Sequence, residues 1–343
     1  MKEGRQRGII FCIVAACVFL APVRRAFSFG GKTGPSCNPC SNRKYLPALK
    51  KMLEDAKESI YISHLYFHVD EVTSPLLYLL NEAVDRGVDV KCIFEDSVQY
   101  NKESVGKLRR IGAEAKLDSS EIFSHSKFVV TDAEKVLVGS TNLSFMSISR
   151  NNETNVLIKD RAVAEWFENY FLAVWNETPL PEPVTSDGIT TIETGFFGEE
   201  LCALFDNARE RICLIIYGIK LYPDDPDNIV TKVFDSLIRA KKRGVQIQVV
   251  FETSDYNEFL NKLTDTAKEY FEENLIDVSY ETPGIITHAK LTVVDDSVVV
   301  GSSNWGYGGF KLYREANVLI RDKKIADSFI KYFYMVKGQG RGG

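Results

Sequence analysis

Two histidine and lysine pairs, each separated by one residue, open a string that occurs twice in this chain. The first copy runs His125-Ser126-Lys127, then Asp132, then Gly139-Ser140-Thr141-Asn142, then Glu153. The second runs His288-Ala289-Lys290, then Asp295, then Gly301-Ser302-Ser303-Asn304, then Glu315. Histidine to asparagine spans 17 residues in one copy and 16 in the other, and asparagine to glutamate spans 11 in both. On an extended strand His125 shares a face with Lys127, and His288 with Lys290, while Asp132 and Asp295 point the other way and suit an anchor for the following turn. An imidazole beside an ammonium favours an anion over a metal, because the lysine repels a cation and offers it no lone pair.

The remaining residues fit a phosphodiester. Ser140, Asn142, Ser302 and Asn304 offer hydroxyl and amide donors to phosphoryl oxygens, after glycines that permit an unusual turn. The two lysines place positive charge where a pentacoordinate phosphorus collects negative charge. Glu153 and Glu315 can each hold an imidazole in one tautomer and stabilise its cation. Two histidines then divide the work: one attacks phosphorus while neutral, the other protonates the leaving oxygen, and a covalent intermediate splits one hard displacement into two easier ones. No cofactor or metal is called for.

The elements that must hold these groups are also duplicated. Helical periodicity at 45–58, a β-prone run at 59–67, a helix at 76–86 stopped by Gly87 and a strand at 88–94 recur as 201–210, 212–218, 230–243 stopped by Gly244, and 245–251. The phrase Arg86-Gly87-Val88 through Glu95 returns as Arg243-Gly244-Val245 through Glu252. Helices at 102–110 and 256–273 lead into the two motifs, and helices at 161–175 and 324–334 close the halves. Strands alternating with helices of this length predict an α/β sheet covered on both faces. The expected organisation is a first half at 45–176, a Pro-rich linker at 177–195, a second half at 196–337 and a flexible tail at 338–343, with a Gly, Ser and Pro-rich linker at 27–44 before them. His64 and His68 have no histidine counterparts in the second half, and His68 reads as a surface residue.

Composition is ordinary for a globular chain: 343 residues, 45% hydrophobic, 26% charged, net charge -5, so attraction to anions has to be local. Lys2, Arg5 and Arg7 precede sixteen uncharged residues, 8–23, and Arg24 and Arg25 follow. That segment, within 1–26, fits a signal peptide or a short membrane anchor, and Val14-Ala15-Ala16-Cys17 resembles a lipoprotein cleavage site. A membrane-associated or extracytoplasmic location follows. Seven cysteines form no disulfide framework at this length, and Cys37 with Cys40 is a lone CxxC, compatible with a local disulfide or two free thiols.

With HxKxxxxD followed by GSxN present twice, the chain resembles the phospholipase D superfamily from about Tyr45 to Lys337. The resemblance implies two tandem α/β/α sandwich halves related by a pseudo-twofold axis, with one active site at their interface, so that a monomer suffices. It implies a catalytic set of His125, Lys127, Asp132, His288, Lys290 and Asp295, supported by Ser140, Asn142, Glu153, Ser302, Asn304 and Glu315 around the phosphate, and a phosphohistidine usually formed on the first histidine, here His125. A phospholipid substrate is favoured by the N-terminal segment and the acidic balance. The alternatives are a nuclease acting on DNA or RNA, since Ser149-Arg150-Asn151-Asn152-Glu153 resembles text of small superfamily nucleases, and an inactive scaffold of the same fold.

Overall fold

Apolar strands alternate with amphipathic helices to build two sheets in succession. The computed structural model describes residues 36–118, 121–253, 257–281 and 284–339. In the first half these are β1 (Ser36–Pro39), α1 (Tyr45–Asp55), β2 (Ser59–His64), α2 (Ser74–Asp85), β3 (Asp89–Glu95), α3 (Gln99–Arg110), β4 (Glu114–Asp118), β5 (Lys127–Thr131), β6 (Lys135–Gly139), α4 (Phe145–Ser149), β7 (Asn155–Lys159) and α5 (Arg161–Asn176). The second half has β8 (Thr185–Ser186), β9 (Ile189–Glu193), α6 (Thr194–Asn207), β10 (Arg211–Ile216), α7 (Ile229–Lys242), β11 (Gln246–Phe251), α8 (Glu258–Glu273), β12 (Asp277–Tyr280), β13 (Leu291–Val294), β14 (Ser297–Gly301), β15 (Ala316–Arg321) and α9 (Lys323–Gln339).

The first sheet is ordered β1-β7-β6-β5-β2-β3-β4, and the second β12-β11-β10-β13-β14-β15-β9-β8. Read from opposite ends these are the same order, with β8 added. In each sheet the first three strands of the βαβ run are parallel, and the motif strand joins them antiparallel. Helices α2 and α7 end where expected, because Gly87 (φ 83°) and Gly244 (φ 94°) adopt the left-handed conformation that closes a helix C-terminus.

The described residues form three apolar cores. One lies between the first sheet and α1, α2 and α3, and another between the second sheet and α6, α7 and α8. The third joins the halves: Phe128, Val138 and Val156 of the first sheet share it with Leu291, Val300 and Val318 of the second, and with α5 and α9. An interface this apolar makes the two halves one folding unit.

Two expected boundaries are corrected. Residues 36–39, placed in the 27–44 linker, form β1 and pair antiparallel with β7. Residues 185–186 and 189–193, placed in the 177–195 linker, form β8 and β9, with β9 paired to β15. Each supposed linker thus adds a strand at the same place in its sheet. Helix α9 also runs through Gln339 into the expected tail. The segment 1–26 lies outside the described residues, and among those described no helix is long and apolar enough to cross a membrane. Cys37 and Cys40 are free thiols on and just after β1; burial, with the Asp322 carboxylate nearby, pushes Cys37 up to about 12, and burial also raises Cys40.

Candidate active site

His125 lies two residues ahead of Lys127, the first residue of β5, and His288 lies two residues ahead of Lys290, which immediately precedes β13. The backbone that carries each histidine is stitched to the other half. His125 N donates to Arg314 O (2.9 Å), Arg314 N to Phe123 O (2.9 Å), and Asn152 N to Ile286 O (2.9 Å). Two short parallel bridges result, Ser124 with Arg314 and Asn152 with Thr287. The residue following Arg314 is Glu315, and the residue following Asn152 is Glu153.

The carboxylates are therefore exchanged. His125 Nδ1 lies 2.8 and 2.9 Å from the Glu315 carboxylate oxygens, and His288 Nδ1 lies 3.1 Å from both oxygens of Glu153. Against the upward pull of burial, His288 and Lys290 hold Glu153 below the ordinary carboxylate range, and His125 and Lys127 do so for Glu315. An ionised carboxylate only accepts, so each Nδ1 carries the donated proton and Nε2 is the ring nitrogen left for substrate. Ser140 Oγ donates to Glu153 and accepts from Thr154 N (2.9 Å), while Ser302 Oγ accepts from Ala316 N (3.0 Å). These serines brace the glutamate strands, which corrects their expected place as donors to phosphate.

Lys127 Nζ donates to the carbonyl of His125 (2.6 Å), and Lys290 Nζ to that of His288 (2.8 Å). Burial lowers Lys127 to about 8; burial and the Lys127 charge lower Lys290 to about 7. Burial and the lysines, opposed by Glu315, bring His125 down to about 4, and burial likewise lowers His288 from 6.5. Each lysine acts on the other half's histidine, so all four groups share one centre. An anion held between the two lysines would raise all four affinities for a proton. Asn142 Oδ1 and Asn304 Oδ1 are buried and without hydrogen-bond partners among the described residues, which leaves both acceptors open.

Asp132 and Asp295 are not part of this centre. They sit at the far end of β5 and β13, in left-handed turn positions (φ 55° and 49°). Asp132 accepts from Glu58 N (2.7 Å), Ser59 N (2.9 Å) and Lys57 N (3.0 Å); Asp295 accepts from Arg209, Glu210 and Arg211 N, each 2.9 Å. Strand length separates them from the histidines, so their placement in the catalytic set is corrected to that of turn anchors. Thr131 pairs with Lys135 whereas Val294 pairs with Ser297, and the one extra residue in the first hairpin explains the 17 against 16 spacing. Gly139 and Gly301 have no positive φ; a Cβ would run into Thr154 and Asn155 in one case and Asn317 in the other. Close strand approach, rather than an unusual turn, requires them.

Glu95 and Glu252, noticed as repeats, accept from Ser124 N (2.7 Å) and Thr287 N (2.6 Å), so they fix the backbone just before each histidine. His68 is surface-exposed, 3.5 Å from Asp70. His64 is buried opposite Lys127, and burial with that lysine's charge lowers it to about 3. Sequence reasoning did not find Tyr217, whose ring lies 4.6 Å edge-on to His288 and 4.6 Å from Lys290 Nζ. Its counterpart in the first half is Leu65, so the repeat gave no signal. Nor did it find Arg314, whose side chain pairs with Asp118.

Duplicated mixed sheets that pool two histidines, two lysines and two exchanged carboxylates define a single-centre protein made of two half-sites. The chain belongs to the phospholipase D-like family described as "Cardiolipin synthase, PLD-like domain", which it matches over residues 49–175 and 201–336. It is similar to cardiolipin synthase 2 of Staphylococcus epidermidis, 24% identical over 313 residues that cover 82% of this chain and 63% of that protein. It is also similar to phospholipase D of Rickettsia prowazekii, 28% identical over 133 residues covering 38% and 58%. The chain thus spans less than two thirds of the length of either. Among solved structures, phosphatidylserine synthase of Haemophilus influenzae shares the fold, with TM-score 0.66, 14% identity, and 90% and 86% of the two chains covered.

Proposed function

We propose that this chain is a phospholipase D-type enzyme that hydrolyses or transfers the phosphodiester of a phospholipid through a covalent phosphohistidine, without a metal. The observation that carries the reading is the exchanged pairing of His125 with Glu315 and His288 with Glu153 beside two buried lysines. The relatives named for cardiolipin synthesis and phospholipase D activity support a lipid substrate.

In this reading the substrate's anionic phosphate rests between Lys127 and Lys290 and raises His288 until it holds a proton. Neutral His125 attacks through Nε2 while Glu315 stabilises the cation that develops on its ring. The P–N bond forms and the P–O bond to the headgroup breaks. The leaving oxygen keeps the electron pair and takes its proton from His288. An incoming water or alcohol then gives a proton to His288 and attacks phosphorus, the P–N bond breaks, and His125 is restored. The N-terminal segment would bring the enzyme to a membrane.

The test uses the purified full chain in detergent, with phosphatidylcholine and a primary alcohol, in EDTA. Formation of phosphatidyl-alcohol, lost in His125→Ala and in His288→Ala, is expected. Loss of activity in EDTA with recovery on adding a divalent metal would refute the metal-free mechanism. Cleavage of single-stranded DNA or RNA with no lipid turnover would select the nuclease instead.

A further inference from the structure

The two halves differ most in what flanks the shared centre. Beside His125 lies a cavity of about 670 Å³, lined by Leu65, Tyr66, Val98, Phe123, Phe145 and Met146. Its inner wall is part of the site, because the Phe123 ring stacks on His125 with centroids 5.9 Å apart. The cavity is held open by the fold. His68 N donates to Leu143 O (2.8 Å), and Asp70 accepts from Phe145 N (2.6 Å) and Thr73 N (3.0 Å), locking the loop after β2 to the turn that follows Asn142.

The second half has the same stitching and a different surface. The bridge of Phe67 with Leu143 corresponds to that of Ile219 with Trp305, so Leu65, His68 and Phe145 correspond to Tyr217, Lys220 and Tyr307. There Tyr217 packs on His288, and exposed Lys220 lies 5.1 Å from the ring of Tyr222, itself 6.4 Å from Tyr307. One end of the centre is an apolar cavity and the other is a cationic, hydroxyl-bearing wall. A preformed apolar pocket beside a few polar groups is built for the apolar part of a ligand.

We propose that the cavity beside His125 receives the glycerol and proximal acyl carbons of the substrate, and that the Tyr217, Lys220 and Tyr222 wall receives its headgroup. The proposal rests on the phospholipid reading and adds a direction to it. With the headgroup on the His288 side, the departing oxygen takes its proton from His288 and the lipid-bearing phosphorus stays on His125. Asp70 and Glu71, which also line the cavity, and a net charge of -5 oppose a polyanionic strand in the same place.

The test follows kcat/KM along a series of monomeric short-chain phosphatidylglycerols, whose uncharged, hydroxyl-bearing headgroup suits the Lys220 wall. Each methylene that enters the cavity should raise it by about threefold to fourfold. Met146→Glu and, independently, Tyr100→Asp should flatten that gradient to below about twofold per methylene, since burying a charge opposes acyl entry. Both residues are half-exposed (48% and 58%), and a ratio within one variant does not depend on how much protein is folded. Phe259→Ser, on the exposed face of α8 (69%), should keep the wild-type gradient. A gradient that survives both cavity variants, or wild-type turnover with no gradient, overturns the cavity assignment and leaves the phospholipid reading standing. No turnover of any phosphatidylglycerol, with single-stranded DNA cleavage that falls in Met146→Glu, overturns both.

Discussion

In the proposed reaction His125 attacks while neutral, and burial with two neighbouring ammonium groups holds it down at about 4. His288 has to carry a proton to act as the acid, and burial keeps it below 6.5. With these proposed roles, the nucleophile of the free protein is lost as pH falls through about 4, and the acid is lost as pH rises through a value below 6.5. The lysine charges are lost in turn through about 7 and about 8. The expected profile of kcat/KM is therefore a bell with an acidic optimum and a further decline above pH 7; an optimum at or above pH 8 would contradict these assignments. The aspartates behave differently. Asp132→Ala removes the acceptor of three backbone N–H groups, so unfolding titrations should show a loss of about 1–3 kcal/mol while the folded variant keeps kcat within about twofold. Residue types and strand parity made the histidines, lysines and turn-anchoring aspartates legible in the sequence. The serines were misread because a hydroxyl suits a glutamate as well as a phosphate.

At the scale of elements, the exchange of glutamates depends on β7 and β15 each entering its sheet directly after a bridge to the opposite half. Spacing could not show this, since a glutamate 11 residues after each asparagine serves either histidine equally well. Ring-nitrogen NMR titration of Glu153→Gln should lower His288 further and leave His125 almost unmoved; the reverse pattern would restore pairing within each half. Gly139→Ala, forced against Thr154 and Asn155, should cost about 1–3 kcal/mol in chemical denaturation even though no unusual φ is disturbed. The βαβ runs and their glycine stops were legible from periodicity. Strands β1 and β8 were not, because short edge strands in Pro, Gly and Ser-rich text carry little alternation of their own and are defined by the strands they join, and β9, paired on both sides, was hidden within the stretch assigned to the linker.

For the whole molecule, duplication of the motif already implied one centre from two halves, and the apolar core shared by β5, β6 and β7 with β13, β14 and β15 explains why they stay together. What duplication concealed is the asymmetry around that centre, which rests on single exchanges such as Leu65 against Tyr217. Since one chain holds both histidines, specific activity should not depend on protein concentration, and mixing His125→Ala with His288→Ala protein should restore none of it. The most direct test of the central claim is mass analysis, kept at neutral to alkaline pH where a P–N bond survives, of His288→Ala protein quenched during turnover of a phosphodiester with a good leaving group. Without its proton donor and base, the second displacement stalls, and a phosphodiester-derived adduct is expected on Nε2 of His125. An adduct on any other residue, or turnover with no adduct at all, would contradict it.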